Sequence, residues 1–205
     1  MRRTKIERKT TETEILVEVL LEGKGEADIN TKIPFLNHIL TLFSLHSLFN
    51  LKIEAEGDLS HHIIEDVGIA LGDALSRALG DRSRIKRYGW AAIPMDESLV
   101  AVAVDISRRP HLSLYGNLHL LPFEGDSFSA LSLSGTIDGF DVRLVEDFLI
   151  AFTNRAAFAL HILFMYGKDL HHLMEAAFKG LGRALSASVE IDPRIDHIPS
   201  TKGVL

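Results

Sequence analysis

Two stretches of the chain, HHIIEDVGIALGDAL at residues 61–75 and HHLMEAAFKGLGRAL at residues 171–185, agree at seven of fifteen positions when overlaid 110 residues apart. The identities are the paired histidines, the glutamate three residues after them, and Leu, Gly, Ala and Leu. An echo at a fixed offset marks a duplicated supersecondary unit. It constrains the chain to a fold of two similar halves, each carrying a helix that opens with metal-capable side chains.

The surrounding pattern fits that constraint. TEILVEVLLEG, ending at Gly23-Lys24-Gly25, reads as a strand with a hairpin exit, and Pro34 opens a helix over FLNHILTLFSLHSLF. NLKIEAEGD alternates as a strand, and the helix from His61 to Leu79 follows, stopping near Gly80-Asp81. After RYGWAAIPMDES come the strands LVAVAVDIS and HLSLYG, a less regular stretch to about Phe140, a helix from Arg143 to Ala156, the strand FALHILFMY and the helix from His171. The expected fold class is α+β: two pseudo-repeated halves, each a mostly antiparallel sheet covered on one face by helices. The 205 residues suit one domain with halves at about 1–92 and 93–190 and an irregular tail at 191–205.

Composition narrows the chemistry. With 46% apolar and 24% charged residues the chain is an ordinary globule. A net charge of −6, with no basic run beyond MRRTKIERK, argues against a nucleic-acid partner. No apolar run approaches the ~18 residues of a spanning helix, and the N-terminus lacks the apolar core of a signal peptide, so a cytoplasmic protein without a membrane partner is expected. There is no cysteine, which leaves the ten histidines and the carboxylates as metal ligands.

Helix geometry gives the histidine pairs a meaning. At ~100° per residue, His171 and Glu175 lie ~40° apart, His172 and Glu175 ~60° apart, and the two histidines ~100° apart. One ion cannot easily take both members of a pair, so the pattern asks for two metals, with the helix at His61, His62 and Glu65 contributing in the complementary sense. Polar residues at a helix start on a histidine-rich surface would account for one such pair, but not for two with the same glutamate. Imidazole and carboxylate without thiolate suit Zn, Mn, Fe or Ni, and an octahedral ion holding three histidines and one glutamate keeps two positions open for chemistry.

From Arg8 to Leu205, the segments RKTTETEI, FLNHIL, HHIIEDVGIALGDAL, RYGWAAIPMDES, SRRP, LHI, HHLMEAAFKGLGRAL and PSTKGVL follow one another in the order and approximate spacing of the imidazoleglycerol-phosphate dehydratase family, which the chain resembles. The resemblance implies two similar α+β halves, a 24-subunit homo-oligomer built from trimers, two Mn²⁺ ions per site at subunit interfaces, and dehydration of a small phosphorylated imidazole substrate, imidazoleglycerol phosphate, to imidazoleacetol phosphate in histidine biosynthesis. The metal ligands it implies are His38, His61, His62, Glu65, His161, His171, His172 and Glu175. Glu12 matches the acid/base glutamate, with Glu175 beside it in the catalytic set. Arg87, Arg109, Ser200 and Lys202 match phosphate-binding positions, and Thr201 and Lys179 join them, with the ligands His38, His61, His62, Glu65 and His171, in holding substrate. The Ser-Thr-Lys-Gly tail offers hydroxyl, ammonium and backbone N–H groups, all suited to phosphate oxygens. LHSLF around His46 is similar to LHILF around His161, but His46 stands 15 residues before its HH pair and His161 only 10 before its own, which leaves His46 a substrate-side neighbour.

The chain departs from the family where Asn37 and Leu42 replace Asp and Gln, where Arg108 replaces a common Gly, and where GDLSHH shortens the acidic approach to the first pair. Ligand histidines donate their second ring N–H to a carboxylate or carbonyl, so the partner of His38 is expected to differ. Two other readings of the same ligands are a dinuclear metallohydrolase acting on a phosphate ester and a non-catalytic metal-binding assembly protein.

Overall fold

The computed structural model of the chain describes residues 1–116 and 129–203. The first half runs β1 (Arg3–Lys9), β2 (Thr13–Leu20), β3 (Ala27–Asn30), α1 (Pro34–Ser47), β4 (Asn50–Gly57) and α2 (Ser60–Leu79). The second runs β5 (Tyr88–Met95), β6 (Ser98–Asp105), β7 (His111–Gly116), the short β8 (Ser129–Ala130), β9 (Thr136–Ile137) and β10 (Phe140–Asp141), then α3 (Arg143–Ala156), β11 (Ala159–Tyr166) and α4 (Leu170–Val189).

The first sheet has the order β1-β2-β4-β3 and the second β5-β6-β11-β7-β8. In each, an antiparallel hairpin, β1–β2 or β5–β6, leads into an antiparallel third strand, β4 or β11. The far side of that strand takes a parallel partner, β3 or β7. Identical order and direction bear out the α+β duplication. The alternation of apolar side chains drives it: Ile15, Val17 and Val19 of β2, and Val100, Val102 and Val104 of β6, are all buried on one face of their strand.

The helices repeat as well. Overlaid 109 residues apart, α1 and α3 match Leu40 with Leu149, Phe43 with Phe152 and, just beyond, Phe49 with Phe158. Each ends at a left-handed residue, Leu48 at φ 62° and Ala157 at φ 53°. The four helices of the described residues lie between the sheets, with α1 and α2 on the first, α3 and α4 on the second, α2 packed on α3 and α1 on α4. One continuous core therefore joins both halves, from Val17 and Ile53 through Ile64, Phe148 and Leu181 to Val102 and Ile162.

The repeated glycine of the two echoed stretches explains how the helices come so close. A Cβ on Gly72 of α2 would lie 2.6 Å from Arg155 Cβ and 2.8 Å from Phe152 O of α3. One on Gly182 of α4 would lie 2.7 Å from Phe43 O and 2.9 Å from Ser47 N of α1. Since Phe43 and Phe152 are themselves counterparts, the two halves exchange the same contact.

Besides the two-residue strands β8, β9 and β10, three strands do not show in the sequence pattern. β1 buries only Ile6, β3 has four residues and buries none, and β5 carries Gly89 and Pro94. All three lie at or beside sheet edges, where one side needs no hydrogen-bonded partner, so a proline is tolerated and the alternation weakens. Of the stretch expected to be less regular before Phe140, residues 117–128 lie outside the described ones, as do 204 and 205 of the tail. Among the described residues no helix is long and apolar enough to cross a membrane.

Gly72→Val and Gly182→Val should each destabilise the fold by ~1–3 kcal/mol through overpacking, seen as a lower urea midpoint. An unchanged midpoint in both would show that the helix pairs have room to spare.

Candidate functional site

α4 starts where it does because Asp169 caps it, its Oδ1 accepting from His171 N at 2.7 Å. His171 and Glu175, four residues apart, share a face, and the close packing of α1 on α4 brings His38 to the same place. The Nε2 atoms of His38 and His171 lie 2.6 and 2.9 Å from Glu175 Oε1. Two imidazole nitrogens and one carboxylate oxygen within 4.8 Å of one another can hold a single ion. Phe35 closes one side, its ring 5.7 Å edge-on from that of His171.

Glu175 is 7% exposed. Burial pushes its pKa up, but hydrogen bonds from Lys179, His38 and His171 outweigh that and bring it down to about 2. Lys179 Nζ donates to Oε2 at 2.8 Å, leaving Oε1 to the histidines. The carboxylate is thus ionised at neutral pH and aimed, as a metal ligand must be.

The first half arranges its groups more loosely. His61 Nε2 lies 3.7 Å from Glu65 Oε2, and its Nδ1 lies 3.5 Å from Asp147 Oδ2 on α3. Asp147 is the fifth residue of α3 as His38 is the fifth of α1, so it stands where the repeat puts the counterpart of His38. Sequence reasoning missed it; carrying the repeat back from the HH helices to Pro34 and Arg143 would have found it.

The second histidine of each pair has its own carboxylate. His62 Nδ1 donates to Asp58 Oδ1 at 2.7 Å, and Glu12 Oε2 stands off at 3.9 Å. His172 Nδ1 donates to Glu97 Oε2 at 2.9 Å, while its Nε2 lies 3.8 Å from Asp96 Oδ2. The bond to Asp58 raises the pKa of His62, and the bond to Glu97 raises that of His172.

Two expected histidines lie apart. His161 is exposed on the outer face of the second sheet, its ring 5.6 Å from that of His111, and joins neither histidine group within the chain. His46 is half-buried on α1, where burial and the charges of Arg183 and Lys179 lower its pKa. LHSLF is helix and LHILF is strand, so their similarity carries no equivalence of position. Asn37, where the family has Asp, accepts from Thr31 N at 2.9 Å and Thr31 Oγ1 at 2.7 Å, fixing the entry to α1, and the described partner of His38 is Glu175.

Arg87, Arg109, Ser200, Thr201 and Lys202 line one cavity of about 710 Å³, with Arg108 and His197 at its wall. Arg87 is held by a two-point pair with Asp105 at 2.7 and 3.1 Å, and its Nη1 donates to Pro199 O at 2.9 Å, tying the tail to the sheet. The cavity shares no lining residue with His38, His171 or Glu175.

Fold and site define a duplicated α+β protein with a histidine and carboxylate centre fit to hold metal. A family profile described as imidazoleglycerol-phosphate dehydratase matches residues 31–185. The chain is 47% identical to the imidazoleglycerol-phosphate dehydratase of Bacillus licheniformis and 45% identical to that of Geobacter metallireducens, covering all of this chain and 100% and 99% of theirs. It is similar to the crystal structure of IGPD from Pyrococcus furiosus in complex with (S)-C348, at TM-score 0.79 and 34% identity over 98% of this chain and 100% of that one. The corresponding enzyme structure from Staphylococcus aureus matches at TM-score 0.78 and 37% identity, over 93% of this chain and 99% of that one. The chain belongs to the imidazoleglycerol-phosphate dehydratase family of hydro-lyases.

Replacing His38 or His171 by Ala, or Glu175 by Gln, should lower the divalent metal retained after equilibrium dialysis while the fold persists, because each removes a candidate ligand rather than core volume. Full metal content in all three variants would remove this group from the metal site.

Proposed function

We propose that the chain dehydrates imidazoleglycerol phosphate to imidazoleacetol phosphate and water in L-histidine biosynthesis, as a single-domain cytoplasmic enzyme. The observation that carries this reading is its likeness, over the full length of both chains, to relatives named for that reaction. Neither a phosphate-ester hydrolase nor a metal-binding assembly protein has comparable support.

The donor set fits the family's metal: imidazole nitrogens and ionised carboxylates without thiolates suit Mn²⁺. We assign one ion to His38, His171 and Glu175 and the other to His61, Glu65 and, beside them, Asp147. His62, His172 and His161 complete the two sets from neighbouring copies. A phosphate cavity and two histidine groups without a common residue argue for a site assembled from several subunits, in keeping with a homo-oligomer of 24 copies built from trimers.

When bound, the ions would supply Lewis acidity that favours the anionic form of the substrate's imidazole ring. Arg87, Arg109, Ser200, Thr201 and Lys202 hold the phosphate and so position carbons several bonds away. Lys179 keeps Glu175 ionised and turned toward the histidines, and His46 stands at the substrate side of α1. The electron-rich ring expels the hydroxyl from the adjacent carbon. Glu12, at the β1–β2 turn, takes the proton from the next carbon, leaving an enol that tautomerises to the ketone.

The deciding assay incubates the Mn²⁺-loaded protein with imidazoleglycerol phosphate and follows ketone absorbance against released phosphate. Ketone without phosphate is expected; phosphate release would support the hydrolase and no turnover the assembly protein. Glu12→Gln should keep metal content and substrate binding while kcat falls by roughly 10²- to 10⁴-fold, and a rate near wild type would remove Glu12 from the chemistry. Because ions shared between copies stabilise the assembled state by mass action, chelation should reduce the shell to a small oligomer, the trimer, and Mn²⁺ should restore it. Analytical ultracentrifugation reads both directions, and a metal-free 24-mer would show that protein contacts suffice.

A further inference from the structure

Glu12 and Glu97 are counterparts. Each immediately precedes the second strand of its hairpin, Glu12 before Thr13 of β2 and Glu97 before Ser98 of β6. Each lies near Nδ1 of the second histidine of an HH pair, and here they differ. Glu97 is bound at both oxygens. Its Oε2 accepts from His172, while its Oε1 accepts from Asp169 N at 2.8 Å, Lys168 N at 3.1 Å and Ser98 Oγ at 3.0 Å. Glu12 stops 3.9 Å short of His62, because Asp58, from the β4–α2 turn, occupies Nδ1 at 2.7 Å.

A carboxylate only accepts, so in both pairs Nδ1 carries the proton of the neutral ring and Nε2 is left with its lone pair. Duplication cannot account for the match. The position of Asp58 repeats as Lys168, and Glu97 reaches His172 from 75 residues away. Two unrelated carboxylates converge on the same ring atom, which is the arrangement that readies the opposite nitrogen for a metal.

We propose that Asp58 and Glu97 are the positioning residues of His62 and His172, and that Asp58, by taking in the first half the place Glu97 holds in the second, frees Glu12 for proton transfer. This rests on the metal-dependent dehydratase reading and adds a division of labour between the two halves.

The test reads the histidine tautomers directly. Magic-angle-spinning ¹⁵N NMR of histidine-labelled, metal-free protein at alkaline pH is indifferent to particle size, and His62→Gln and His172→Gln identify the two sets of signals. Wild type should show both residues protonated at Nδ1. In Glu97→Gln, the retained Oε1 keeps the bonds to Asp169 and Lys168, so the fold holds, while the new NH₂ at the Oε2 position donates to Nδ1 and forces His172 into the Nε2–H form. Its Mn²⁺ affinity, measured by competition with a chelator, should fall about 10- to 100-fold, with His62 unmoved. Asp58→Ala should shift His62 alone with a similar loss. Asp58→Asn should not shift it, since one Asn oxygen can accept from both Leu59 N and His62 as Asp58 Oδ1 does at 2.7 Å each. An unshifted His172 in Glu97→Gln, or an unshifted His62 in Asp58→Ala, overturns the proposal. If the tautomers respond as expected but wild type binds Mn²⁺ without dehydrating the substrate, the functional reading fails and the positioning roles stand.

Discussion

The close approach of helices from opposite halves governs the rest of the structure. Gly72 and Gly182 let α2 and α4 settle against backbone atoms of α3 and α1 at distances no side chain would permit. That approach sets the reach between His38, on one half, and His171 and Glu175, on the other. A metal ligand set tolerates errors of only a few tenths of an ångström. Close-packed interiors transmit displacement instead of absorbing it, so the glycine contacts and the His38 to Glu175 distance of 2.6 Å belong to one rigid unit.

The two halves treat charge differently. Glu175 is buried, and hydrogen bonds from Lys179 and two imidazoles hold it ionised. Glu65 and His61 stand half in solvent, where a charge needs no such support. One group is therefore organised before any ion arrives, and the other keeps freedom to adjust.

Much of this is legible in the sequence for physical reasons. The HH helices and the strands β2, β4, β6 and β11 carry strong periodicity because one face of each is fully buried. The edge strands β1 and β5 do not, and their absence from the pattern hid the relation between Glu12 and Glu97, which depends on seeing both hairpins. Asp147 escaped because it differs in residue type from His38, and identity is the signal a repeat search uses. The likeness of LHSLF to LHILF carries no position, as the unequal spacing to the HH pairs already indicated: short apolar runs around a histidine look alike whether they are helix or strand. The grouping of Arg87, Arg109 and the tail around one cavity is invisible to periodicity, since they meet only through the turn geometry and the pair with Asp105.

The packing of each half's helices on those of the other bears on ancestry. Each half's sheet covers only one face of its helices, so a half-length progenitor would have exposed the face that α3 and α4 now cover. A two-fold dimer of identical chains would cover it, with two equivalent clusters and two equivalent hairpin glutamates. Joining two such copies in one chain would release each from its twin's constraints. His38 and Asp147 could then part in chemistry, and one glutamate could become a fixture while the other remained at liberty.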